Sequence, residues 1–461
     1  MYIEQLYTNC LAEAAYYIES EGEAIVIDPI RETKPYLELA AKRNSRIRYI
    51  FETHFHADFV SGHLDLAKES GATIVFGPGA ETAYDTHTGK DGERFKIGKI
   101  SLELLHTPGH TPESSCYLLR DENDSPVAVF TGDTLFVGDV GRPDLAIKSN
   151  LTQNDLAGML YDSLRTKLMP LPDVVTVYPA HGAGSSCGKN IGKETFSTIG
   201  QQKATNYALQ PMSKADFIIA VTEGLSAPPA YFFQDAMINK NGYDSLEVVK
   251  KRNIKALSAT ELKSLMENGS LPLDTRPVLE FEKGFITGSI SIGLDGQFAI
   301  WAATVLDIRQ PLLVVVESAE KAEEAITRLA RVGYERVDGY FVYNEPGLLK
   351  AGMTLDSLTS VSPQQAVGLL EEGVQLLDVR KPGEYAGGHV AEALHICLST
   401  LNQEMDKVSR NQPYLVHCAG GYRSVIAASL LKRAGYTQLF NIYGGWSAMK
   451  NVPGFNITTH A

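Results

Sequence analysis

His54-Phe55-His56-Ala57-Asp58 follows the apolar, strand-like run Ile47–Thr53, and this stretch decides how the N-terminal half is read. Three later segments repeat its layout. They are Thr107-Pro108-Gly109-His110-Thr111 after Lys99–Leu105, Thr131-Gly132-Asp133-Thr134 after Val127–Phe130, and Tyr178-Pro179-Ala180-His181-Gly182 after Val174–Tyr178. Each sets a His or Asp beside turn formers at the end of a predicted strand. Neighbouring strands bring such residues to one rim of a sheet, on loops that a rigid scaffold holds. Glycines beside His110, Asp133 and His181 let the backbone bend toward a shared point. Imidazole and carboxylate are ligands for zinc or iron. A lone histidine would be ordinary packing, but four such elements read as one metal constellation. Helical patterns over Lys34–Lys42 and Leu64–Ser70, the second stopped by Gly71, make this half a mixed α/β region.

The chain has 461 residues, enough for about three domains, with 44% hydrophobic and 21% charged residues. A net charge of −13 excludes a nucleic-acid partner, which needs a basic face. It leaves room for small anionic substrates in a local basic pocket. The apolar runs, such as Pro311–Val316, are too short to span a bilayer, so no membrane partner is expected. The start, Met1-Tyr2-Ile3-Glu4, shows no secretory pattern. Cys10, Cys116, Cys187, Cys397 and Cys418 are scattered and odd in number, which fits a reducing, cytoplasmic setting.

Near Ser245 the composition shifts. Lys240, Lys250, Lys251, Arg252 and Lys255 read as a basic linker. An internal repeat follows. Asp274-Thr-Arg-Pro-Val-Leu-Glu280-Phe-Glu-Lys-Gly284 lines up without gaps on Asp378-Val-Arg-Lys-Pro-Gly-Glu384-Tyr-Ala-Gly-Gly388. Pro311–Val316 then matches Pro413–Cys418, and Gly333-Tyr334 matches Gly435-Tyr436. Two copies of one α/β unit of about 100 residues are expected. The expected domains are residues 1–245, 255–350 and 355–461.

The second copy holds Val416-His417-Cys418-Ala-Gly-Gly-Tyr-Arg423-Ser424. A strand ends, a glycine-rich loop follows, and a helix is expected from near Ser424. A cysteine at the head of such a loop faces backbone N–H groups and the positive end of a helix, which favour nucleophilic sulfur. Arg423 offers a planar fork to an oxyanion such as sulfite or thiosulfate. Gly420 and Gly421 permit the curl. Tyr422 and Ser424 complete the expected substrate-binding ring. The first copy has Val316 and Glu317 at the cysteine's place, so it is expected to be catalytically inactive, with a docking or oligomer-interface role left open.

The four N-terminal segments, in this order, resemble the signature of the metallo-β-lactamase superfamily. That resemblance implies an αββα sandwich, followed here by two rhodanese-like three-layer α/β domains. Most members have a histidine where this chain has Phe59, and it helps to hold a second metal. With Phe59 and Gly141-Arg142-Pro143-Asp144, the chain resembles the persulfide dioxygenase branch. The resemblance implies one mononuclear non-haem Fe(II) held by His54, His110 and Asp133, the two-histidine, one-carboxylate triad that leaves open positions. His56, Asp58 and His181 then orient ligands or water. Arg142, with Asp144, is placed to meet an anionic group of a thiol carrier, or else forms a structural ion pair with Asp144. Cys187, shortly after His181, is a further candidate at the same mouth.

The Cys418 loop is similar to the rhodanese active loop, whose Cys-x4-Arg ring is smaller than the phosphatase Cys-x5-Arg ring. Together the resemblances imply O2-dependent oxidation of a low-molecular-weight persulfide (of glutathione, coenzyme A or another thiol) to sulfite, with sulfane sulfur passed through Cys418 to form thiosulfate, or the reverse. Two alternatives stay open: a glyoxalase II-like dinuclear zinc thioester hydrolase fused to a sulfurtransferase, and a non-enzymatic sulfur carrier or sensor.

Overall fold

The computed structural model describes residues 1–145, 151–225 and 227–459. The chain divides into two compact units, Met1–Val248 with Ala330–Gly333, and Val249–Leu329 with Tyr334–Ala461. Among the described residues, no helix is long and apolar enough to cross a membrane.

The first unit is built on two six-stranded sheets. One runs β1 (Tyr2–Thr8), β2 (Glu13–Ser20), β3 (Glu23–Ile27), β4 (Arg46–Phe51), β5 (Thr73–Phe76) and β6 (His87–Thr88). The other contains β7 (Arg94–Ile97), β8 (Ile100–His106), β9 (Ser115–Arg120), β10 (Pro126–Gly132), β11 (Thr176–Pro179) and β12 (Ser197–Thr198), in spatial order β12-β11-β10-β9-β8-β7. Alternate residues of the strands point into the gap between the sheets. Tyr16 and Ile18, Ile25 and Ile27, Leu102 and Leu104, Tyr117 and Leu119, and Ala128 and Phe130 fill it with Phe51 and Val75. The opposite faces are apolar too and are covered by helices. Ala157, Leu160 and Leu164 recur at helical spacing and join Phe217 and Val221 over Leu118, Val129 and Val177. On the first sheet's side, helices Lys34–Lys42 and His63–Ser70 bury Tyr36, Ala40 and Leu66. The result is the αββα sandwich expected from sequence.

The second unit holds two parallel sheets that repeat one plan. Leu271–Asp274 pairs with Ile290–Ser291 and Leu312–Val316, as Gln375–Asp378 pairs with Leu394–His395 and Tyr414–His417. Leu312–Val316 is buried at every residue, as a central parallel strand must be. Both copies keep a buried Asp–Arg fork just after the equivalent strands. Arg276 Nη2 lies 2.7 Å from Asp274, and Arg380 Nε lies 2.9 Å from Asp378.

Two local expectations need correction. The basic stretch read as a linker contains a helix, Leu246–Asn253. Leu246, Val249 and Asn253 are buried at spacings of three and four, so the cationic residues are the outer face of an amphipathic helix. The helix after Cys418 begins at Tyr422, not near Ser424.

Gly132 ends β10 at φ +50°, and a Cβ there would lie 2.6 Å from the Thr53 side chain. Gly71 is also left-handed, at φ +72°, but open on all sides. Gly132→Ala should therefore cost about 2 kcal/mol or more, against roughly 1 kcal/mol for Gly71→Ala, as read from denaturant midpoints.

Candidate metal centre

The four signature segments do converge. β10 and β11 run parallel, with Phe130 opposite Tyr178 and Gly132 opposite Pro179, so Asp133 and His181 leave the sheet side by side. His54 follows β4, and His110 lies in the loop after β8. Donor atoms of His54, His110 and Asp133 lie within 4.8 Å of one another, and all three residues are buried.

Hydrogen bonds fix which nitrogen of each ring faces inward. Asp28 accepts from the Thr53 N–H at 2.8 Å and from its hydroxyl at 2.9 Å. With its hydrogen spent, Thr53 Oγ1 accepts from His54 Nδ1 at 2.9 Å. His110 Nδ1 donates to the Arg142 carbonyl at 2.9 Å, and His181 Nδ1 to the Ala12 carbonyl at 3.1 Å. Each ring thus turns its Nε2 toward Asp133, which His110 and His181 approach to 3.5 Å and His54 to 3.9 Å; although burial opposes charging, the Asp133 and Asp58 carboxylates raise His181. Such partners on the far nitrogen set tautomer and direction at metal sites. Burial, then the neighbouring imidazoles, holds His54 well below the usual histidine range, so its ring is neutral, as a ligand must be. Among the described residues, His54 Nε2, His181 Nε2 and both Asp133 oxygens are buried without a hydrogen-bond partner. A cation accounts for all four at once, and these donors fit iron or zinc.

His56 does not turn toward this group in the same way. Its Nε2 lies 3.1 Å from Asp28 and 3.5 Å from Glu52, and although burial opposes charging, these carboxylates raise it to about 10. Phe59 is buried against it, with ring centroids 4.3 Å apart. Asp58 instead joins His181 and Cys187 in a second buried set with donor atoms within 4.8 Å of one another. Burial pushes the Cys187 thiol up, and the carboxylates of Asp58 and Asp133 add to it. Cys187 therefore stands beside His181, where the sequence made it a candidate. Arg142 follows the ion-pair alternative. It is buried and holds Asp144 through two bonds of 2.6 and 2.7 Å. Its carbonyl orients His110, and its N–H bonds the Cys187 carbonyl at 2.9 Å. Asp28 and Glu52 were missed. Their only signal is an acidic residue at the end of an apolar strand.

In the second unit, Cys418 is 1% exposed at the end of Tyr414–His417. The Gly421 N–H points at its sulfur from 3.1 Å, and Gly421 has φ +109°. The thiol donates to Ser424 Oγ at 3.6 Å. Arg423 departs from expectation: its fork grips Glu384 at 2.7 and 2.8 Å. Gly420 is open on its Cβ side, and Tyr422 begins the helix.

Residues 8–181 match the metallo-beta-lactamase superfamily, and residues 258–345 and 362–451 each match the rhodanese-like domain. A solved metallo-beta-lactamase from Staphylococcus aureus superposes with a TM-score of 0.65 at 32% identity, over 74% of this chain and 98% of that one. The chain belongs to the metallo-β-lactamase superfamily. Behind that domain it carries two rhodanese-like domains. Among superfamily relatives, a probable hydroxyacylglutathione hydrolase of Schizosaccharomyces pombe is 37% identical over 161 residues, covering 35% of this chain and 58% of that protein. The mitochondrial persulfide dioxygenase of Homo sapiens is 32% identical over 192 residues, covering 40% and 65%. The chain thus spans less than two thirds of either relative.

Thr53→Val keeps the shape beside His54 but deletes its oxygen. It should weaken metal retention by about 10- to 100-fold in a chelator competition, with Thr53→Ser close to wild type.

Proposed function

We propose that the first unit is a persulfide dioxygenase using one non-haem Fe(II), and that residues 355–461 form an active rhodanese working through Cys418. The observation that carries this reading is the buried convergence of two imidazoles and one carboxylate, His54, His110 and Asp133, on one point. Three protein donors leave coordination positions open for small reactants. Residues 1–245 and 355–461 would hold the two activities, with 255–350 as an inactive copy.

His54, His110 and Asp133 would hold the ion, which supplies the one-electron chemistry that lets dioxygen react with a spin-paired persulfide. The chain's own groups do the rest. Thr53 and the Arg142 carbonyl keep both Nε2 lone pairs aimed inward. Phe59 and the closed packing around His56 keep water from that side. The net reaction converts R–S–SH, O2 and water to R–SH, sulfite and two protons. At the second site, Cys418 sulfur attacks the outer sulfur of another persulfide, and R–S⁻ leaves. Sulfite then takes that outer sulfur, the S–S bond to Cys418 breaks, and thiosulfate departs. The Gly421 N–H faces the sulfur on which charge develops. Sulfite made at one site is the acceptor at the other, and joining the sites raises its effective concentration. With thiosulfate in excess the transfer runs in reverse. The thiol carrier would be glutathione, coenzyme A or another low-molecular-weight thiol. Five free cysteines support a reducing, cytoplasmic setting.

One observation favours a second reading. Asp58, His181 and Cys187 offer three further donors, so Phe59 does not by itself abolish a second metal position. A dinuclear thioester hydrolase would use it. An oxygen-electrode trace with hydropersulfides, paired with metal analysis, separates the two. The dioxygenase gives oxygen uptake with about one iron per chain. Two zincs and no uptake overturn it.

Asp133→Ala should abolish oxygen uptake and leave thiosulfate:cyanide exchange intact, and uptake that survives would remove Asp133 from the ligand set. Cys418→Ser should leave sulfite as the end product. Thiosulfate formed enzymatically by that variant would place the transfer site elsewhere.

A further inference from the structure

The copy without a cysteine reaches the Cys418 loop. Tyr422, the first residue of the helix after that loop, donates its hydroxyl to the Gly293 carbonyl at 2.7 Å. Its ring fills the space at Gly296, where a Cβ would lie 2.4 Å from it. A second contact runs deeper. Glu282, in helix Val278–Lys283 of the same copy, accepts from Asn441 Nδ2 at 3.0 Å and from the Ser360 hydroxyl. Asn441 Nδ2 also reaches Ser360 Oγ at 2.8 Å. The amide's other end, Oδ1, accepts from Ser424 Oγ at 2.7 Å, and Ser424 Oγ is the atom that the Cys418 thiol meets. Ser424 and Asn441 are buried, and Glu282 is 8% exposed. In the repeat, Glu282 occupies the place of Ala386, so this carboxylate has no counterpart in the other copy.

The chain of contacts has one consistent polarity. A carboxylate accepts and does not donate, so Asn441 must turn its N–H groups toward Glu282 and its oxygen toward Ser424. Facing that oxygen and the Gly421 carbonyl 2.9 Å away, the single Ser424 hydrogen is taken. Ser424 can then only accept from Cys418. Without an acceptor at residue 282, the Asn441 amide is free to turn over. Its N–H would then bond the Ser424 oxygen as well and weaken the bond that this oxygen accepts from the thiol.

We propose that Glu282 is a positioning residue for sulfur transfer: from the thiol-less copy it fixes the Asn441 amide, so that Ser424 stands as a hydrogen-bond acceptor toward Cys418 sulfur. The role rests on the reading of Cys418 as the sulfur carrier, but its test does not depend on turnover.

The S–H stretching band lies in a window that other protein groups leave clear, and it shifts to lower frequency when the thiol donates to oxygen. In the full chain, the infrared difference between wild type and Cys418→Ser isolates the Cys418 band. Ser424→Ala should move that band up. Glu282→Met, similar in length but without an acceptor, should also move it up, and Glu282→Gln, which keeps an acceptor oxygen, should leave it in place. A band unmoved by Glu282→Met overturns the proposal. So does one unmoved by Ser424→Ala, a result that stands even if Glu282→Met does not fold. A wild type that shows these band shifts but no sulfur exchange refutes the carrier reading and leaves the hydrogen-bond chain intact.

Discussion

Asp133 is buried with both carboxylate oxygens lacking a hydrogen bond among the described residues, and three imidazole nitrogens point toward it. A carboxylate removed from water without a partner costs several kcal/mol, too much for a domain to carry at one residue. Burial keeps the His54 ring neutral, and although burial opposes charging His181 too, the carboxylates of Asp133 and Asp58 raise it, so the rings offset that charge only in part. The arrangement is therefore built for a cation. Much of the surrounding architecture follows from delivering it. The parallel pairing of β10 with β11 sets two of the donors side by side. Gly132 lets Thr53 approach closely, and Asp28 holds that threonine in place.

The same requirement explains what could be read from sequence and what could not. The four signature segments are local: a strand, a turn former and a ligand lie within a few residues, and no tertiary information is needed to see them. The repeat was legible for the same reason, since Asp274–Arg276 and Asp378–Arg380 are two-residue forks. Arg142 was different. Whether its guanidinium meets a ligand or Asp144 depends on burial, and the structure buries it. Cys187 lies shortly after His181, but its meeting with Asp58 is a long-range contact that the sequence does not show. The basic stretch near Lys250 misled because composition was weighed without periodicity. Leu246, Val249 and Asn253 carry the helical signal beneath the charges.

Divergence within the repeat follows a physical order. Both copies keep the buried Asp–Arg fork, since a lone Asp or Arg left there would be an unpaired buried charge. The thiol and its glycines are under no such constraint, and the first copy lacks them. What that copy has instead are contacts on the surviving loop through Tyr422 and Asn441. A copy without a cysteine thus remains tied to its neighbour by buried polar bonds.

Depth bears on the choice between sulfur and thioester chemistry. His54 and His110 are 1% exposed, Asp133 2% and Cys418 1%. A persulfide carries its reactive atom at the tip of the molecule, so that atom can reach a recessed centre while the thiol carrier stays outside. A thioester's reacting carbon is flanked on both sides, and reaching the same depth would require a wider channel. On the proposed reading, buried donors at both centres would suit a reactant that presents a terminal sulfur. Under the proposed function, this shared fit would give a physical reason for joining the two centres in one chain, beyond an exchange of sulfite between them.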